Sequence, residues 1–551
     1  MSQLQETSLL DPIPDSLGQN LYVADADLHG LLGLYLEPAL LQHLEPHLHR
    51  LGALAGGELD QLAAAADRNQ PELQVRTRQG HDCSVIVKNP AYVALERYGF
   101  SEFGLAAASH APGVLGWHAP LPPVAKYTLF YLFTQAEFGL TCPINMTDSL
   151  TRTLKKYGHP ELVERYFSGL TSLDFDNYLQ GAMFMTEQGA GSDIARTATV
   201  AKREGQNWAL YGDKWFCSNA SADLAMVLAR PDDAPQGMAG VSLFLMPRVR
   251  RDGQLNSYRI VRLKDKMGTR SMASGEIRLE GAEAYLIGEV GRGFQQMAEM
   301  VNSSRLSNGI RSGALMRRSL SEARYVAQHR HAFGRRLADL PLMRRQLDKM
   351  ALPTEQARSF GFQTAQALQR ADGGDAQARR LVRIMTPLIK FRACRDARTV
   401  TADGMEVRGG CGYIEEWSEA RLVRESLLGS IWEGTSNIVA LDVLRAIQRE
   451  ESLPALAEHL RGLLQCAANG TAKQAVSTRL EAVLRFAGEA AAEKQDALAR
   501  ETASMLYHAA CAAIFLWEAS HAGLAHRVAY CAAVLEHRLD PRLQRLGLLP
   551  D

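Results

Sequence analysis

A single carboxylate, Glu433, lies in an apolar and small-residue segment late in the chain. The segment GSIWEGTSNIVALDVLR spans residues 429–445, and a helical pattern begins at Ile438. A carboxylate in such surroundings is costly to bury without a partner. It either caps the free N–H groups of the following helix or acts as a general base, because apolar neighbours raise a carboxyl pKa while a helix N-terminus opposes the rise. Both interpretations fit this segment taken alone.

Two glycine-containing segments are able to contact a ligand through their backbone. In MFMTEQGAGSD, residues 183–193, two glycines lie near Thr186 and Ser192, so that N–H groups and hydroxyls can approach a planar or anionic group. In MEVRGGCGYIEEWSEARLVRE, residues 405–425, three glycines permit close passage of the backbone beside a phosphate. The second segment follows a helical pattern and lacks a βαβ context, which excludes a Rossmann fingerprint. The first segment, taken alone, is more often an ordinary turn.

The segment GDKWFCSNASAD, residues 212–223, predicts a strand that presents an aromatic ring to a ligand. Alternation places Trp215 and Cys217 on one face and Phe216 and Ser218 on the other. An aromatic side chain followed two residues later by a hydroxyl can flank a ring system and hydrogen-bond to it. The alternative is a half-buried strand with an ordinary core aromatic, and this segment alone favours that alternative.

Helical and strand patterns divide the chain into four parts. Residues 1–180 show helical apolar spacing interrupted by Pro and Gly, whereas residues 181–290 hold short, partly alternating runs typical of a β-domain. Helical spacing returns in long segments over residues 291–448. Residues 449–551 predict a further helical extension, rich in Ala and Leu. The predicted fold class is therefore α+β, mainly α.

Composition indicates a soluble globular protein, which we expect in the cytoplasm. Of the 551 residues, 46% are hydrophobic and 22% are charged, and the formal net charge is +0. This length predicts several domains, and this charge gives no general attraction to nucleic acid or anionic membrane. Eight cysteines without a C-x-x-C pair predict reduced thiols, with no disulfide frame and no metal site. We expect neither a secretory signal nor a membrane-spanning segment.

Together, and in this order, the segments resemble the acyl-CoA dehydrogenase family of FAD flavoproteins, closest to its AidB-type, alkylation-response branch. The resemblance rests on MTEQGAGSD, GDKWFCSN, RHAFGRRL, EVRGGCGY and WEGTSN, and it spans residues 125–445. It implies an N-terminal helical domain, a middle β-domain and a C-terminal four-helix bundle, to which this chain adds its helical extension. It also implies FAD as the cofactor, an acyl-CoA substrate, an electron-transfer flavoprotein as acceptor and a homo-oligomer, typically a tetramer.

The resemblance assigns roles to particular residues. Glu433 matches the catalytic base, which would remove an α-proton from an acyl-CoA thioester while hydride leaves the β-carbon for flavin N5. Ser192 and Arg305 are implied contacts of the substrate. The residues implied to bind FAD are Met183, Met185, Thr186, Ser192, Phe216, Cys217, Ser218, Arg330, Phe333, Gly409, Gly410, Thr435 and Asn437. Among these, Arg330, Phe333, Gly409 and Gly410 resemble residues that reach the FAD of a neighbouring subunit.

The sequence departs from the family pattern in a few places. Gln188 replaces a proline, Pro341 replaces a glutamine that would contact FAD, and the chain continues well past Arg445, where ordinary members soon end. Some members carry their base on an earlier helix, at the position that Ser304 occupies here. Because a serine cannot do that work, Glu433 has no rival as the base.

The extension leaves a second function open, the binding of double-stranded DNA in an alkylation response with little dehydrogenase activity. Residues 449–551 hold nearly equal numbers of basic and acidic residues, whereas phosphate neutralisation needs excess positive charge on one face. We therefore favour the dehydrogenase. The densest basic cluster lies before the extension, and we expect it to form a solvated or inter-subunit helix face. It comprises Arg311, Arg317, Arg318, Arg324, Arg330, Arg335, Arg336, Arg344 and Arg345.

Overall fold

Helices form most of the N-terminal part of the computed structural model, which describes residues 13–205 and 207–549. The helices are α1 (Leu28–Leu32), α2 (Pro38–Ala55), α3 (Glu58–Arg68), α4 (Pro90–Glu96), α5 (Pro123–Thr134), α6 (Thr141–Tyr157) and α7 (Pro160–Leu170). Between α3 and α4, an antiparallel hairpin pairs β1 (Glu72–Arg76) with β2 (Asp82–Val87). Sequence pattern predicted helices alone in this part. The hairpin could not be recognised because its short strands are mostly exposed and show no apolar face.

The middle part is a barrel-like β-domain of seven strands. They are β3 (Gly181–Phe184), β4 (Val200–Glu204), β5 (Asn207–Ser218), β6 (Leu224–Pro231), β7 (Ser242–Pro247), β8 (Tyr258–Leu263) and β9 (Ser274–Ile287). The pairs β6–β4, β4–β5, β5–β9, β9–β7 and β7–β6 close a ring, which β3 extends at β6 and β8 at β9. Strand β6 is buried throughout, because one face joins the barrel core and the other packs against helices.

A bulge changes the faces of β5 near its end. The register against β9 shifts between Lys214 and Cys217, so that two residues of β5, Trp215 and Phe216, face the single residue Glu276 of its partner. Lys214 and Cys217 are consequently both buried, whereas Phe216 is exposed. The simple alternation predicted for residues 215–218 is wrong, because a bulge interrupts a strand's period of two.

Long helices form the third part. Helix α8 (Gly293–His329) is followed by a small hairpin of β10 (His331–Ala332) and β11 (Arg335–Arg336), and then by α9 (Pro341–Asp372) and α10 (Ala376–Arg408). The shorter helices α11 (Ser418–Gly429) and α12 (Ser436–Glu450) complete it. Helix α8 packs against α9 and α10 and also against α5 and α6. One hydrophobic core therefore joins the N-terminal helices to the bundle.

The C-terminal extension is a set of helices packed onto the bundle. They are α13 (Ser452–Cys466), α14 (Thr471–Ala492), α15 (Ala499–Ala519), α16 (Val528–Val534) and α17 (Asp540–Arg545). Helix α15 is buried along nearly its whole length and contacts α9, α10 and α12. The extension thus shares the main core. Within the described ranges, no helix has the length and apolarity that crossing a membrane requires.

Three arginines of the basic cluster lie in the interior, which corrects the expectation of a solvated or inter-subunit face. Arg317 and Arg318 are buried and form ion pairs with Glu355 and Glu322 respectively. Arg311 is buried as well. The other six arginines of the cluster are half-buried or exposed. The burial of these three could not be predicted from helical spacing, because fully buried arginines are rare and their burial depends on how α8 packs against other helices.

Candidate active site

Glu433 lies in the turn between α11 and α12 in a left-handed backbone conformation. Its φ is 55° and that of Gly434 is 103°, a conformation that strains a residue bearing a side chain. Helix α12 begins at Ser436 with Thr435 as its N-cap residue, so Glu433 does not cap the helix. Its Oε2 atom is buried and has no hydrogen-bond partner among the described residues. Helix capping therefore does not explain this carboxylate.

Two cations, the half-buried Arg305 and the buried Lys390, hold the turn of Glu433 in place. Arg305 Nε donates to the Glu433 carbonyl oxygen at 3.0 Å, and its Nη1 donates to Asp442 at 2.8 Å. Lys390 Nζ donates to the carbonyl oxygen of Gly434 at 2.5 Å. These bonds oppose the strain of the turn and fix the position of the carboxyl group. Arg305 was expected to contact the substrate, but the structure engages its guanidinium with the backbone of Glu433 and with Asp442.

The electrostatic surroundings suit Glu433 to accept a proton. Burial raises the pKa of its carboxyl group, and the charges of Arg311, Lys390 and Arg305 oppose part of the rise. The sequence alone could not decide between apolar surroundings and the helix N-terminus, and the structure gives a net rise. A carboxylate with a raised pKa is a stronger base near neutral pH.

Aromatic rings and unpaired donors lie beside the base. The rings of Phe138 and Trp432 are stacked with centroids 5.7 Å apart, and Arg311 Cζ lies 5.3 Å and 5.0 Å from them respectively. Neither Trp432 Nε1 nor any nitrogen of the Arg311 guanidinium has a hydrogen-bond partner among the described residues. The Cys142 thiol is buried close by, and burial raises its pKa to about 11. The side chains next to Glu433 therefore offer N–H groups to a ligand.

The segments MFMTEQGAGSD (residues 183–193) and GDKWFCSNASAD (residues 212–223) meet in the β-domain. Trp215 donates from its backbone N–H to the Thr186 carbonyl oxygen at 2.8 Å. Lys214 Nζ donates to Glu187 Oε1 at 2.7 Å, inside the barrel. This buried ion pair fixes the glycine-containing segment against β5. Both residues lie within predicted segments, but their role could not be predicted because nothing in either segment shows that they are paired.

Most side chains predicted at this surface are accessible. Phe216 is 55% exposed, Ser192 is exposed, and Met183, Met185 and Thr186 are half-buried. They can contact a ligand without any movement of the backbone.

Ser218 and Cys217 of β5 differ in whether their side chains are accessible to a ligand. Ser218 Oγ lies 3.3 Å from Ser274 Oγ, to which Lys266 Nζ donates at 3.1 Å. Burial lowers the pKa of Lys266 to about 8, so this cluster is another polar feature that the sequence analysis missed. Cys217 was predicted to bind the cofactor, but its thiol lies in the barrel core. The Cys217 thiol is therefore not accessible to a ligand on the outer surface of the barrel.

The predicted phosphate-binding residues come together at an exposed edge. Arg330 Nη1 donates to the carbonyl oxygen of Arg408 at 3.1 Å, which is the residue before Gly409. Gly409 has a φ of 77°, and no described atom lies within 4 Å of the place that a Cβ of Gly409 or Gly410 would take. Phe333 is 93% exposed on the hairpin that follows α8. The edge thus offers open backbone, a guanidinium and an uncovered aromatic ring.

Sequence profiles of three domains match successive parts of the chain. They are the adaptive response protein AidB N-terminal domain at residues 13–177, the acyl-CoA dehydrogenase middle domain at 182–282 and the acyl-CoA dehydrogenase C-terminal domain at 291–448. The protein AidB of Escherichia coli (strain K12) is 36% identical over 409 residues, which cover 72% of this chain and 73% of that protein. The chain belongs to the acyl-CoA dehydrogenase family.

Solved structures agree with this assignment. Caenorhabditis elegans ACDH-11 in complex with C11-CoA superposes with a TM-score of 0.90 at 27% identity, covering 98% of this chain and 94% of that one. An acyl-CoA dehydrogenase complexed with FAD from Bacillus anthracis shares the fold with a TM-score of 0.68 at 21% identity, covering 84% of each chain. The predicted family, its AidB-type branch and the fold class are confirmed, and the chain is an oxidoreductase of the acyl-CoA dehydrogenase family.

The predicted residues of this acyl-CoA dehydrogenase fall into three groups. The first surrounds Glu433, where Thr435 and Asn437 are exposed; the second lies on the β-domain; the third lies at the Arg330 edge. Their contacts with FAD remain predictions. Arg311, which no motif indicated, belongs to the first group. Its spacing could have revealed it, since Arg311 follows Ser304 by seven residues and therefore lies two turns further along the same helix face.

Proposed function

We propose that this chain is an FAD-dependent acyl-CoA dehydrogenase in which Glu433 removes an α-proton from an acyl-CoA thioester. The observation that carries the proposal is the buried Oε2 of Glu433, unpaired within the described residues, on a strained turn that Arg305 and Lys390 hold. Such a costly arrangement is typical of functional sites. Membership of the family and the acyl-CoA complex of the nematode relative support a CoA thioester as the substrate.

FAD is the cofactor that family membership supports, and the residues present fit it. When bound, FAD supplies the hydride acceptor for the β-carbon of the substrate. The exposed ring of Phe216 would lie against its planar part, with Thr186 and Ser218 as hydrogen-bonding neighbours. Arg330 and the backbone at Gly409 and Gly410 would hold its phosphates, because a guanidinium suits anions and no side chain there keeps a ligand away from the backbone.

The residues around Glu433 would have separate roles in proton removal. Arg305 and Lys390 hold the carboxyl group in one place, which limits the loss of orientation during the reaction. Burial favours the protonated product of the transfer, since it raises the affinity of the carboxylate for a proton. The stacked rings of Phe138 and Trp432 exclude water from one side of the base.

Partner molecules form part of the proposal. We infer a homo-oligomer, on the family pattern a tetramer, because Phe333 and Tyr413, close in sequence to Arg330 and Gly409 respectively, are 93% and 81% exposed. A neighbouring subunit would cover these rings. An electron-transfer flavoprotein would accept the electrons, and the cytoplasm is the proposed location.

The alternative function is binding of double-stranded DNA with little dehydrogenase activity. Several cations of the extension are already paired, since Arg479 bonds to Asp540 and Arg542 to Glu501. Arg527 is buried. Paired and buried cations contribute little to phosphate neutralisation, so these contacts support the dehydrogenase as the first choice.

Anaerobic addition of straight-chain acyl-CoAs of graded length to the FAD-loaded protein tests the proposal. We expect at least one thioester to bleach the flavin, and Glu433→Gln to slow bleaching by about 10²- to 10⁴-fold with FAD retained. Glu425→Gln is the matched control, because Glu425 is also buried and burial raises its pKa to about 8; it should bleach as the wild type does. Salt-sensitive binding to duplex DNA, without bleaching by any thioester, would overturn the proposal in favour of the alternative.

A further inference from the structure

Arg311 is a buried cation without a counterion among the described residues. Its side chain has an exposed fraction of 0%, and its Nε, Nη1 and Nη2 atoms lack hydrogen-bond partners there. Other buried arginines of the chain have acidic partners: Arg317 pairs with Glu355 and Arg527 with Glu518. An unpaired buried charge is costly. Because Arg311 lies beside the base, a ligand that binds there would offset this free-energy cost.

The surroundings of Arg311 stabilise its charge but do not satisfy its N–H groups. Its guanidinium carbon lies 5.3 Å from the ring centroid of Phe138 and 5.0 Å from that of Trp432, distances at which an aromatic ring attracts a cation. Rings accept hydrogen bonds weakly, and a neutral thiol such as that of Cys142 is also a weak acceptor. Trp432 Nε1 is a further buried donor without a described partner. These N–H groups require a strong acceptor that the described residues do not supply.

Positive charge exceeds negative charge next to Glu433. Arg305 is neutralised by Asp442, whereas the described hydrogen bond of Lys390 goes to a carbonyl oxygen. Arg311 and Lys390 therefore share the single carboxylate of Glu433, with which neither forms a direct ion pair in the described structure. A ligand that brings its own negative charge would balance the site, and a neutral ligand would not.

We propose that Arg311, assisted by Trp432, binds a carboxylate at the far end of a short acyl group, so that CoA half-thioesters of short dicarboxylic acids are preferred substrates. The inference rests on the proposed function. A guanidinium suits a carboxylate because it donates two parallel N–H bonds. We expect a short acyl group, because Arg311 contacts the ring of Trp432, the residue next to the base in sequence, and its charge acts on the Glu433 carboxyl group.

Two thioesters of equal carbon number test the inference. Affinities of glutaryl-CoA and pentanoyl-CoA are measured by equilibrium dialysis with the FAD-loaded Glu433→Gln protein, in which proton removal is blocked. We expect glutaryl-CoA to bind about 10- to 100-fold more tightly, the range expected for hydrogen bonds to a charged group. Adding Arg311→Met should abolish this preference, with pentanoyl-CoA bound as before or more tightly. Adding Trp432→Phe, which removes one N–H and keeps an aromatic ring, should reduce the preference by a smaller factor.

Equal affinities for the two thioesters, or an equal loss of both in the Arg311→Met protein, would overturn the inference. Loss of FAD from that protein would also overturn it, because the arginine would then serve the flavin. If the variant does not fold, the comparison of the two thioesters in the parent protein still decides. Bleaching of the wild type by unbranched thioesters without a preference for glutaryl-CoA would defeat this inference and leave the proposed function standing. An Arg311-dependent preference without any bleaching would defeat the proposed function and, with it, the role of these thioesters as substrates, and would leave only the binding of a carboxylate by Arg311.

Discussion

Arg305 donates a hydrogen bond from Nε to the carbonyl oxygen of Glu433 at 3.0 Å, and its Nη1 donates to Asp442 Oδ2 at 2.8 Å. The arginine thereby ties the strained turn of the base to helix α12. We expect Arg305→Lys to keep the charge but lose the fork, so that the carboxyl group moves more freely. Flavin bleaching, followed by stopped-flow absorbance, should slow by about 10- to 100-fold. Affinity for the thioester should change little.

The same variant distinguishes two roles for Arg305. Weaker binding of the thioester with an unchanged bleaching rate would contradict the positioning role and support the substrate contact that the family resemblance implied. Asp442→Asn is a useful companion, because it removes the counterion of Arg305 without touching the bond to the turn. It should slow bleaching less than Arg305→Lys does.

Bleaching should depend on pH through the ionisation of Glu433. Burial raises the pKa of this carboxyl group above its ordinary value of 4.5, and the ionised form is the base. The bleaching rate at saturating pentanoyl-CoA should therefore rise with pH, with a midpoint above 4.5, and then level off. Arg311→Met should move the midpoint higher, because Arg311 is the strongest of the charges that oppose the shift. A midpoint at or below 4.5 in the wild type would show that a different step limits the rate.

The strands of the β-domain could largely be predicted from the sequence. Strands β4 to β7 and β9 coincide with runs of alternating or continuously apolar residues, since a half-buried strand leaves a period of two and a fully buried one leaves an apolar run. Strands β3 and β8 and the β1–β2 and β10–β11 hairpins were missed. The bulge in β5 was missed as well, because it depends on pairing with β9 rather than on any local pattern.

The sequence predicted the site residues that lie within motifs, whereas the roles of residues between the motifs had to come from the structure. Glu433 could be located because an isolated acid beside a glycine is visible in the sequence. The seven-residue spacing from Ser304 shows which helix face carries Arg311, but the roles of Arg305 and Arg311 depend on how α8 packs against the turn before α12 and against the segment containing Phe138. On helix α8 alone, a buried arginine and a solvated arginine look the same, so the cluster was assigned to the surface as a whole.

Lys214 and Glu187 should stabilise the β-domain as a pair. Lys214→Met would leave the buried Glu187 carboxylate without its cation, and we expect the free energy of unfolding to fall by about 3–5 kcal/mol. Urea denaturation followed by circular dichroism measures it. The double variant Lys214→Met/Glu187→Leu should recover most of the loss, since apolar replacement of both partners removes the unpaired charge. Failure of the double variant to recover stability would show that the other bonds of Glu187, to Thr199 and to backbone N–H groups, are what the domain needs.

Arg527 should anchor the C-terminal extension to the rest of the chain. It lies fully buried and donates to Glu518 at 2.6 Å, to Glu355 of helix α9 at 2.9 Å and to Asp27 of the N-terminal part at 2.8 Å. Arg527→Leu leaves these carboxylates short of a cation, and we expect it to lower the free energy of unfolding by about 3–5 kcal/mol.

Arg461→Leu is the control for Arg527, because the pair of Arg461 with Glu481 lies at the surface with both side chains 52% exposed. Removing it should change stability by less than about 1 kcal/mol. Both variants are compared with the wild type by urea denaturation, and limited proteolysis shows whether the region after residue 449 opens first. If Arg527→Leu unfolded no more easily than Arg461→Leu, the shared core alone would hold the extension, since packing of α15 against the bundle would then suffice without the ion pairs.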